Sequence, residues 1–386
     1  MDISKFIGQK RPDVEKIPGF ELRYDAKLNR WAYRPEDKYS EKHIDEDFFI
    51  PKKEAFKTGR PFSEDTQKNG NSGLHAAKAE KNDEFYTRFQ DIADELTHYK
   101  DFFNGKVVYC PCDKAFNLGR SEFFNFFCKV FSEWGIRKLI ATQYCPNGDN
   151  RGYLWVLENN DNTMFPIDET KIDTYLLDGD GSFDSPECIK IMEESDIIVT
   201  NPPFSLFRKI VNQLISLNKS FLLMGNQNAI TYKDIFGFIK EDKLWLGYTS
   251  NKTMAFRTPY TNNNDNNCRT LERMGLDPSG HILVKGISWF TNLPHKKRNE
   301  YIDLCKTYNE TDYPKYDNYN AVEVSRVSDI PSDYFGAMGV PITFLAKYNP
   351  SQFQIIKFRK GDDEKDLAIG GKTPYFRILI KRKTQA

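Results

Sequence analysis

Few architectures accommodate the run Asp196-Ile197-Ile198-Val199-Thr200-Asn201-Pro202-Pro203-Phe204. Ile197-Ile198-Val199 is β-branched without interruption, the composition of a strand buried on both faces of a parallel sheet. Pro202 and Pro203 then forbid continuation of strand or helix and hold the backbone extended. Beyond them, Leu206, Ile210, Val211, Leu214 and Ile215 recur at helical spacing. Asn201 to Phe204 are therefore expected on a stiff loop at the carboxyl end of a central strand, where open α/β sheets place their ligands.

The loop has a definite chemistry. The Asn201 side chain offers a carbonyl acceptor, and the Pro202 carbonyl lies outside regular secondary structure. Two acceptors side by side match the two hydrogens of an exocyclic amino group. Phe204 adds a flat apolar face on which a ring can stack. Together they describe a slot for an amino-bearing base such as adenine; a plain strand-to-helix turn stiffened by proline is the simpler alternative. Asn201-Pro202-Pro203-Phe204 resembles the catalytic loop of the amino-methyltransferases, which use S-adenosylmethionine to methylate exocyclic nitrogens. The form with Phe implies adenine N6 in DNA.

The chain's 386 residues suffice for two or three domains and a full core. No apolar run approaches the roughly 20 residues of a membrane helix, and Met1-Asp2-Ile3-Ser4-Lys5 is not followed by the apolar core of a signal peptide. The seven cysteines are scattered; Cys110 and Cys112 fit neither a disulfide framework nor a zinc pair. A reduced, cytoplasmic protein is expected. The 55 basic and 55 acidic residues balance, so nucleic-acid binding requires charge segregated onto one face. Thirty Phe and 20 Tyr suit base stacking as well as a core.

Residues 1–60 form a small separate module. In it Phe20-Glu21-Leu22-Arg23-Tyr24 and Arg30-Trp31-Ala32-Tyr33-Arg34 alternate like the strands of a hairpin. Its interleaved arginines and aromatics suit a phosphate backbone or a solvated hairpin equally. Residues 61–80 are a polar linker. From 81 to 245, strands alternate with helices: Lys106 to Asp113, Lys138 to Tyr144, Tyr175 to Phe183, Ile197 to Thr200 and Phe221 to Asn226 are expected as parallel strands, with a hairpin near Gly152 to Phe165. This is an α/β fold, a doubly wound Rossmann-like sheet of mononucleotide-binding type. Residues 246–386 are expected to extend the sheet in part and to form an irregular second region in part. Strand-like pieces there include Lys243 to Tyr248, His281 to Thr291, Ile342 to Leu345, Gln354 to Phe358 and Tyr375 to Lys381.

A methyl donor must be held with its reactive carbon close to the acceptor nitrogen, and three stretches offer to hold it. The loop Cys110-Pro111-Cys112-Asp113 presents backbone amides and a carboxylate, Asp113, that can pair with an ammonium group. Asp178 and Asp180 can accept from an adenine amino group, and Phe183 can cover that ring; an acidic glycine-rich turn fits the same residues. The Asn82–Thr87 stretch contributes Asp83, Tyr86 and Thr87. No Gly-x-Gly-x-x-Gly follows the first strand, which excludes an ordinary dinucleotide enzyme.

Asn82-Asp83-Glu84-Phe85-Tyr86-Thr87, Tyr109-Cys110-Pro111-Cys112-Asp113 and Asn201-Pro202-Pro203-Phe204 occur in an order that resembles the EcoRI-type adenine-specific (N6) DNA methyltransferases. So do Trp289-Phe290-Thr291-Asn292-Leu293 with His295-Lys296-Lys297-Arg298, and Gly339-Val340-Pro341-Ile342-Thr343-Phe344-Leu345 with Lys347-Tyr348-Asn349-Pro350. The resemblance runs from about 78 to 360. It departs where the glycine-rich donor loop becomes Cys-Pro-Cys-Asp, and where the second strand ends at Gln143-Tyr144 with no acidic residue for a ribose.

The resemblance implies a modification enzyme that flips adenine out of duplex DNA. Phe204 stacks on the base, and Asn201 and the Pro202 carbonyl accept its amino hydrogens. No metal or covalent intermediate is implied. His295-Lys296-Lys297-Arg298 and Lys381-Arg382-Lys383 are candidate phosphate contacts or solvated charge runs. A monomer acting on double-stranded DNA, with a cognate restriction endonuclease as its companion, is the expectation. Two other readings share the motif: a methyltransferase of RNA or of a protein amide, and a non-catalytic DNA-binding protein on the same fold. The long carboxyl-terminal region favours DNA over the first, and the intact Asn201 to Phe204 favours catalysis over the second.

Overall fold

The computed structural model describes residues 86–113, 122–145, 151–159, 172–250, 252–258, 261 and 263–384, with the strand backbones 20–25, 30–35 and 49–50. The segment 61–80 and Asp83 lie outside the described residues. Strands β1 (Phe20–Asp25) and β2 (Arg30–Pro35) pair antiparallel, Phe20 opposite Pro35 and Asp25 opposite Arg30, and β3 (Phe49–Ile50) joins β2.

The elements of the large sheet follow along the chain as β4 (Tyr86–Thr87), α1 (Phe89–Leu96), β5 (Val107–Cys110), α2 (Glu122–Val130), β6 (Lys138–Gln143), β7 (Tyr153–Glu158) and β8 (Asp173–Leu176). Then come α3 (Pro186–Glu194), β9 (Ile197–Thr200), α4 (Phe207–Ser216), β10 (Ser220–Asn226), α5 (Lys233–Lys240), β11 (Trp245–Leu246), β12 (Lys252–Arg257), α6 (Asp265–Arg273) and β13 (His281–Thr291). The order across the sheet is β4-β12-β13-β10-β9-β5-β6-β7-β8, with β11 also on β13.

The strands β10, β9, β5 and β6 are parallel, and these are the apolar runs legible in the sequence. Every residue of β5 and β9 is buried, as a strand covered on both faces requires. On one face α4 lays down Phe207, Ile210, Val211 and Leu214. On the other, α2 buries Phe123, Phe124, Phe126 and Phe127, each contributing about 1.5–3 kcal/mol of transfer free energy. Helix α3 begins where Ser185 Oγ accepts from Cys188 N at 3.2 Å and Pro186 opens the first turn.

The expected third parallel strand is absent. Of Tyr175 to Phe183, only Tyr175 and Leu176 lie in a strand, β8, which is the outermost strand and antiparallel to β7. Their side chains are about half exposed (52% and 51%), so an apolar run that suggested a buried strand lies on an edge. Residues 177–185 are instead the loop that leads into α3.

Residues beyond 245 add further strands to the sheet. β13 is antiparallel to β10, with Ile287 opposite Asn226 and Thr291 opposite Leu222. Because β10 ends at Asn226, His281–Lys285 of β13, and Met254–Arg257 of β12 paired with them, run on past the carboxyl edge of the parallel strands. β4 pairs with this far end, Thr87 opposite Phe256. A smaller sheet follows, made of β14 (Ala321–Glu323), β15 (Ala337–Pro341), β16 (Phe353–Phe358) and β17 (Arg377–Arg382), in the order β14-β15-β17-β16. Its core is continuous with that under α4 and α5; Phe358 meets Phe236 with ring centroids 5.0 Å apart. Ile342 to Leu345, expected as a strand, belongs to a 3-10 helix, Ile342–Lys347, directly after β15. Among the described residues no helix is long and apolar enough to cross a membrane.

Candidate active site

Strand β9 delivers Asn201 to the carboxyl edge of the sheet, and the two prolines keep the loop off both neighbouring strands. The Pro203 carbonyl accepts from Leu206 N at 2.8 Å, which starts the turn into α4. No hydrogen bond among the described residues uses the Pro202 carbonyl. Phe204 is partly buried against the aromatic core. The Asn201 amide is held at one end: Nδ2 donates to Thr87 Oγ1 at 3.0 Å, and Oδ1, on the other side, is sealed from solvent. Thr87 in turn donates to Met224 Sδ at 3.6 Å. β4 lies beyond β12 and β13 in the strand order, yet Thr87 touches β10 and the end of β9. The outer strands therefore arch back over the carboxyl edge.

The loop after β5 is joined to this one. The Thr200 hydroxyl, one residue before Asn201, donates to the Pro111 carbonyl. Cys112 adopts a left-handed backbone, φ +61°. Asp113 is buried; its amide donates to Thr142 O at 3.0 Å, and its Oδ2 accepts from Phe124 N at 3.1 Å. The carboxylate thus anchors the first turn of α2, where backbone N–H groups and the helix dipole favour an anion. Burial pushes the Cys110 thiol well up and Cys112 to about 12, so both are protonated at neutral pH and are poor nucleophiles.

The loop 178–183 brings acidic residues beside the end of β6. Asp180 O accepts from Cys145 N at 2.8 Å, and Gly152 N donates to Gly179 O at 2.8 Å, which fastens the loop beside the end of β6. Gly181, at φ +77°, sits so close to Gln143 that a Cβ would lie 2.2 Å from the Gln143 carbonyl oxygen. Asp180 is exposed, and its Oδ1 accepts from Ser182 N at 2.9 Å. Next to it Tyr144 is also exposed. Partial burial, with Asp180 and Asp184 nearby, pushes its phenol upward. Asp178 is exposed and paired with Arg151 at 2.6 Å. Phe183 is buried in the core, under Lys209 of α4, whose ammonium pairs with Asp184.

Of the expected site residues, then, Thr87, Pro111, Asp113, Asp180 and Asn201 to Phe204 gather on one edge. Tyr86 faces Arg257 in the β4–β12 pair. Tyr144, Thr200 and Met224 were not singled out from sequence. Thr200 had a signal, its place beside the motif, and so had Tyr144, which ends a strand where an acid was missing. Met224 is an ordinary core methionine by sequence.

The basic cluster His295 to Arg298, a candidate for phosphate contacts or a solvated charge run, is largely drawn into the fold. Thr291 lies opposite Leu222, near the start of β10, so the chain leaves β13 at the amino edge of the parallel strands, opposite Asn201. β10 spans 7 residues, about 23 Å of extended chain. His295 is buried, with Nε2 3.0 Å from Leu246 O. Arg298 is buried, pairs with Asp242 and lies 4.1 Å over the Trp245 ring. Lys297 donates to Tyr248 O at 3.0 Å. Only Lys296 of the four is exposed. An aromatic shelf and an acidic neighbour draw the guanidinium inward, where its charge is compensated.

A family model described as "Adenine-specific methyltransferase EcoRI" matches residues 73–383. The Type II methyltransferase M.EcoRI of Escherichia coli is 44% identical over 330 residues, 81% of this chain and 97% of the relative. The Type II methyltransferase M.MpnI of Mycoplasma pneumoniae is 38% identical over 328 residues, 80% of this chain and 98% of the relative. No solved structure matches the chain. The match spans every element from β4 to β17, including the Asn-Pro-Pro-Phe loop and both loops beside it, and the chain belongs to the EcoRI family of adenine-specific methyltransferases.

Proposed function

We propose that the chain methylates the N6 amino group of one adenine within a specific sequence of double-stranded DNA, extruding that base into the slot at the end of β9. Family membership makes it an adenine-specific methyltransferase, which requires a methyl donor. The donor proposed is S-adenosylmethionine, which when bound supplies the electrophilic methyl group. The residues present fit it. Asp180 offers a solvent-facing carboxylate and Tyr144 an exposed ring beside the end of β6, the acceptor and the flat face that a nucleoside half needs. The loop Cys110 to Asp113 is the expected seat of the amino-acid half.

One observation carries the reading: Asn201, Pro202 and Phe204 stand together at the carboxyl edge with the Asn201 amide held by Thr87 and the Pro202 carbonyl outside the hydrogen bonding of the described residues. Asn201 Oδ1 and Pro202 O accept the two amino hydrogens of the flipped adenine. This draws the nitrogen lone pair out of ring conjugation. Phe204 covers the base, and the closed slot excludes water. DNA lies along the carboxyl edge, flanked by the projecting ends of β12 and β13. The Type II names of the relatives suggest a companion endonuclease of the same specificity.

The test is label transfer. Radiolabelled S-adenosylmethionine and unmethylated duplex DNA should give label in N6-methyladenine after digestion to nucleosides. Asn201→Ala should lower the rate by about 10²–10³-fold, the scale for a group aimed at developing charge, while donor binding and the circular dichroism spectrum persist. Normal turnover by that variant would remove the loop from the chemistry. Label appearing only in RNA or protein acceptors would replace the substrate.

A further inference from the structure

An asparagine amide has two nearly isosteric ends, and only one is useful to the proposed reaction. With Oδ1 towards the adenine amino group, acceptor meets donor. With the amide turned by half a rotation, an NH2 group faces an NH2 group and the hydrogen bond is lost. Something must therefore choose the orientation of Asn201.

Thr87 is placed to choose, but a hydroxyl alone is ambiguous because it can donate or accept. Met224 removes the ambiguity. Its thioether carries no proton and can only accept. Thr87 Oγ1 is 3.6 Å from Met224 Sδ and 3.0 Å from Asn201 Nδ2, and Thr87 is 4% exposed, so water does not compete for its one proton. With that proton given to sulfur, Oγ1 presents lone pairs to Asn201 and receives the amide's N–H. We infer that Thr87 and Met224 form a polarity relay in which Thr87 is a positioning residue, holding Asn201 so that Oδ1 faces the target base. The inference rests on the proposed role of Asn201 as acceptor, and it gives Thr87 a task distinct from holding the methyl donor. It also explains why a strand of two residues, β4, is carried to the sheet's edge: β12 brings Thr87 to the active loop.

The test uses the full-length protein and single-turnover methylation of duplex DNA at saturating S-adenosylmethionine. Thr87→Val keeps the shape and removes the oxygen. Its rate should fall by about 10²-fold, the scale of a misoriented reacting group, with donor affinity and DNA affinity unchanged. Thr87→Ser, which keeps the hydroxyl, should recover most of the rate. Met224→Leu, which frees the hydroxyl proton, should fall between the two and stands in for Thr87→Val if that variant does not fold. A full rate in Thr87→Val, or one whose loss simply follows loss of donor affinity, would overturn the inference, as would failure of Thr87→Ser to rescue. Asn201→Ala run alongside separates the two claims: if it retains full activity, the acceptor role itself falls, whereas its inactivity beside an active Thr87→Val removes the relay alone.

Discussion

Thr200 and Pro111 join the two loops on which the site is built. The hydroxyl of Thr200 donates to the Pro111 carbonyl, linking the last residue of β9 to the first residue after β5. These strands are already paired, Val108 opposite Ile197 and Tyr109 opposite Ile198, so the side chain continues the ladder past the point where backbone bonding ends. Thr200→Val leaves the buried carbonyl without this donor. Stability should drop by about 1–3 kcal/mol. The KM for the methyl donor should rise while duplex binding holds, since the displaced loop is the proposed seat of the donor's amino-acid half. Urea unfolding and initial rates check this; an unchanged KM would uncouple the loops.

Glu95 holds the turn after β11. Its carboxylate, fully buried, accepts from Tyr248 N at 2.7 Å, from Thr249 N and Thr249 Oγ1 at 2.6 Å each, and from Tyr99 Oη at 2.9 Å. Glu95→Ala strands these donors and should cost about 3 kcal/mol. Gly247→Ala should do comparable harm by contact, because a Cβ there would lie 2.3 Å from Glu95 Oε1 and 2.5 Å from Trp289 Cβ. Denaturant midpoints of the two variants, each compared with the parent, provide the check.

Gly181 keeps the Asp180 loop against β6. Any side chain at φ +77° is strained, and a Cβ would collide with the Gln143 carbonyl. Gly181→Ala should lift Asp180 away from Tyr144 and weaken S-adenosylmethionine binding by about tenfold, equivalent to about 1.4 kcal/mol. Equilibrium binding measured calorimetrically tests it, and parental affinity would count against Asp180 as a donor contact.

His295 makes stability depend on pH. Burial, aided by the neighbouring Arg298, Lys297 and His98, pulls its pKa down from 6.5 to about 4, against the pull of the Leu246 carbonyl. The folded state therefore binds fewer protons than the unfolded chain between those values, and acid favours unfolding. The stability associated with the neutral ring is complete above about pH 6.5 and is lost progressively as the pH falls towards 4. Urea midpoints for the parent should decline over this window more steeply than those for His295→Gln, and parallel curves would reject the assignment.

The strand–loop–helix around Asn201 was legible because its signals are local: a β-branched run, two prolines and a helical repeat within one short segment. The parallel strands β5, β6, β9 and β10 were legible for the same reason. Tyr175 and Leu176 misled because apolar composition marks a strand without saying which neighbour it finds, and at the sheet's edge these residues lie half exposed. His295 to Arg298 misled differently. Charge suggests solvent, but the direction of β13 carries the cluster to the amino edge, where Trp245 and Asp242 receive the guanidinium. The hydrogen bond between Thr87 and Asn201 spans 114 residues and depends on how the outer strands arch, which no local pattern encodes.

The pairing of β4 has a consequence for synthesis of the chain. Among the described residues β4 has one neighbouring strand, β12, and the ribosome releases β4 long before β12. A nascent chain that has reached only Ser250 already contains the Asn-Pro-Pro-Phe loop, both flanking loops and the partners of the Thr87 side chain, yet lacks the strand on which β4 pairs. Such a fragment, whether still being translated or left by premature termination, holds the loop residues without the backbone pairing that fixes β4 over them. The backing of β4 thus arrives with the later half of the polypeptide, together with the strands that project past the carboxyl edge.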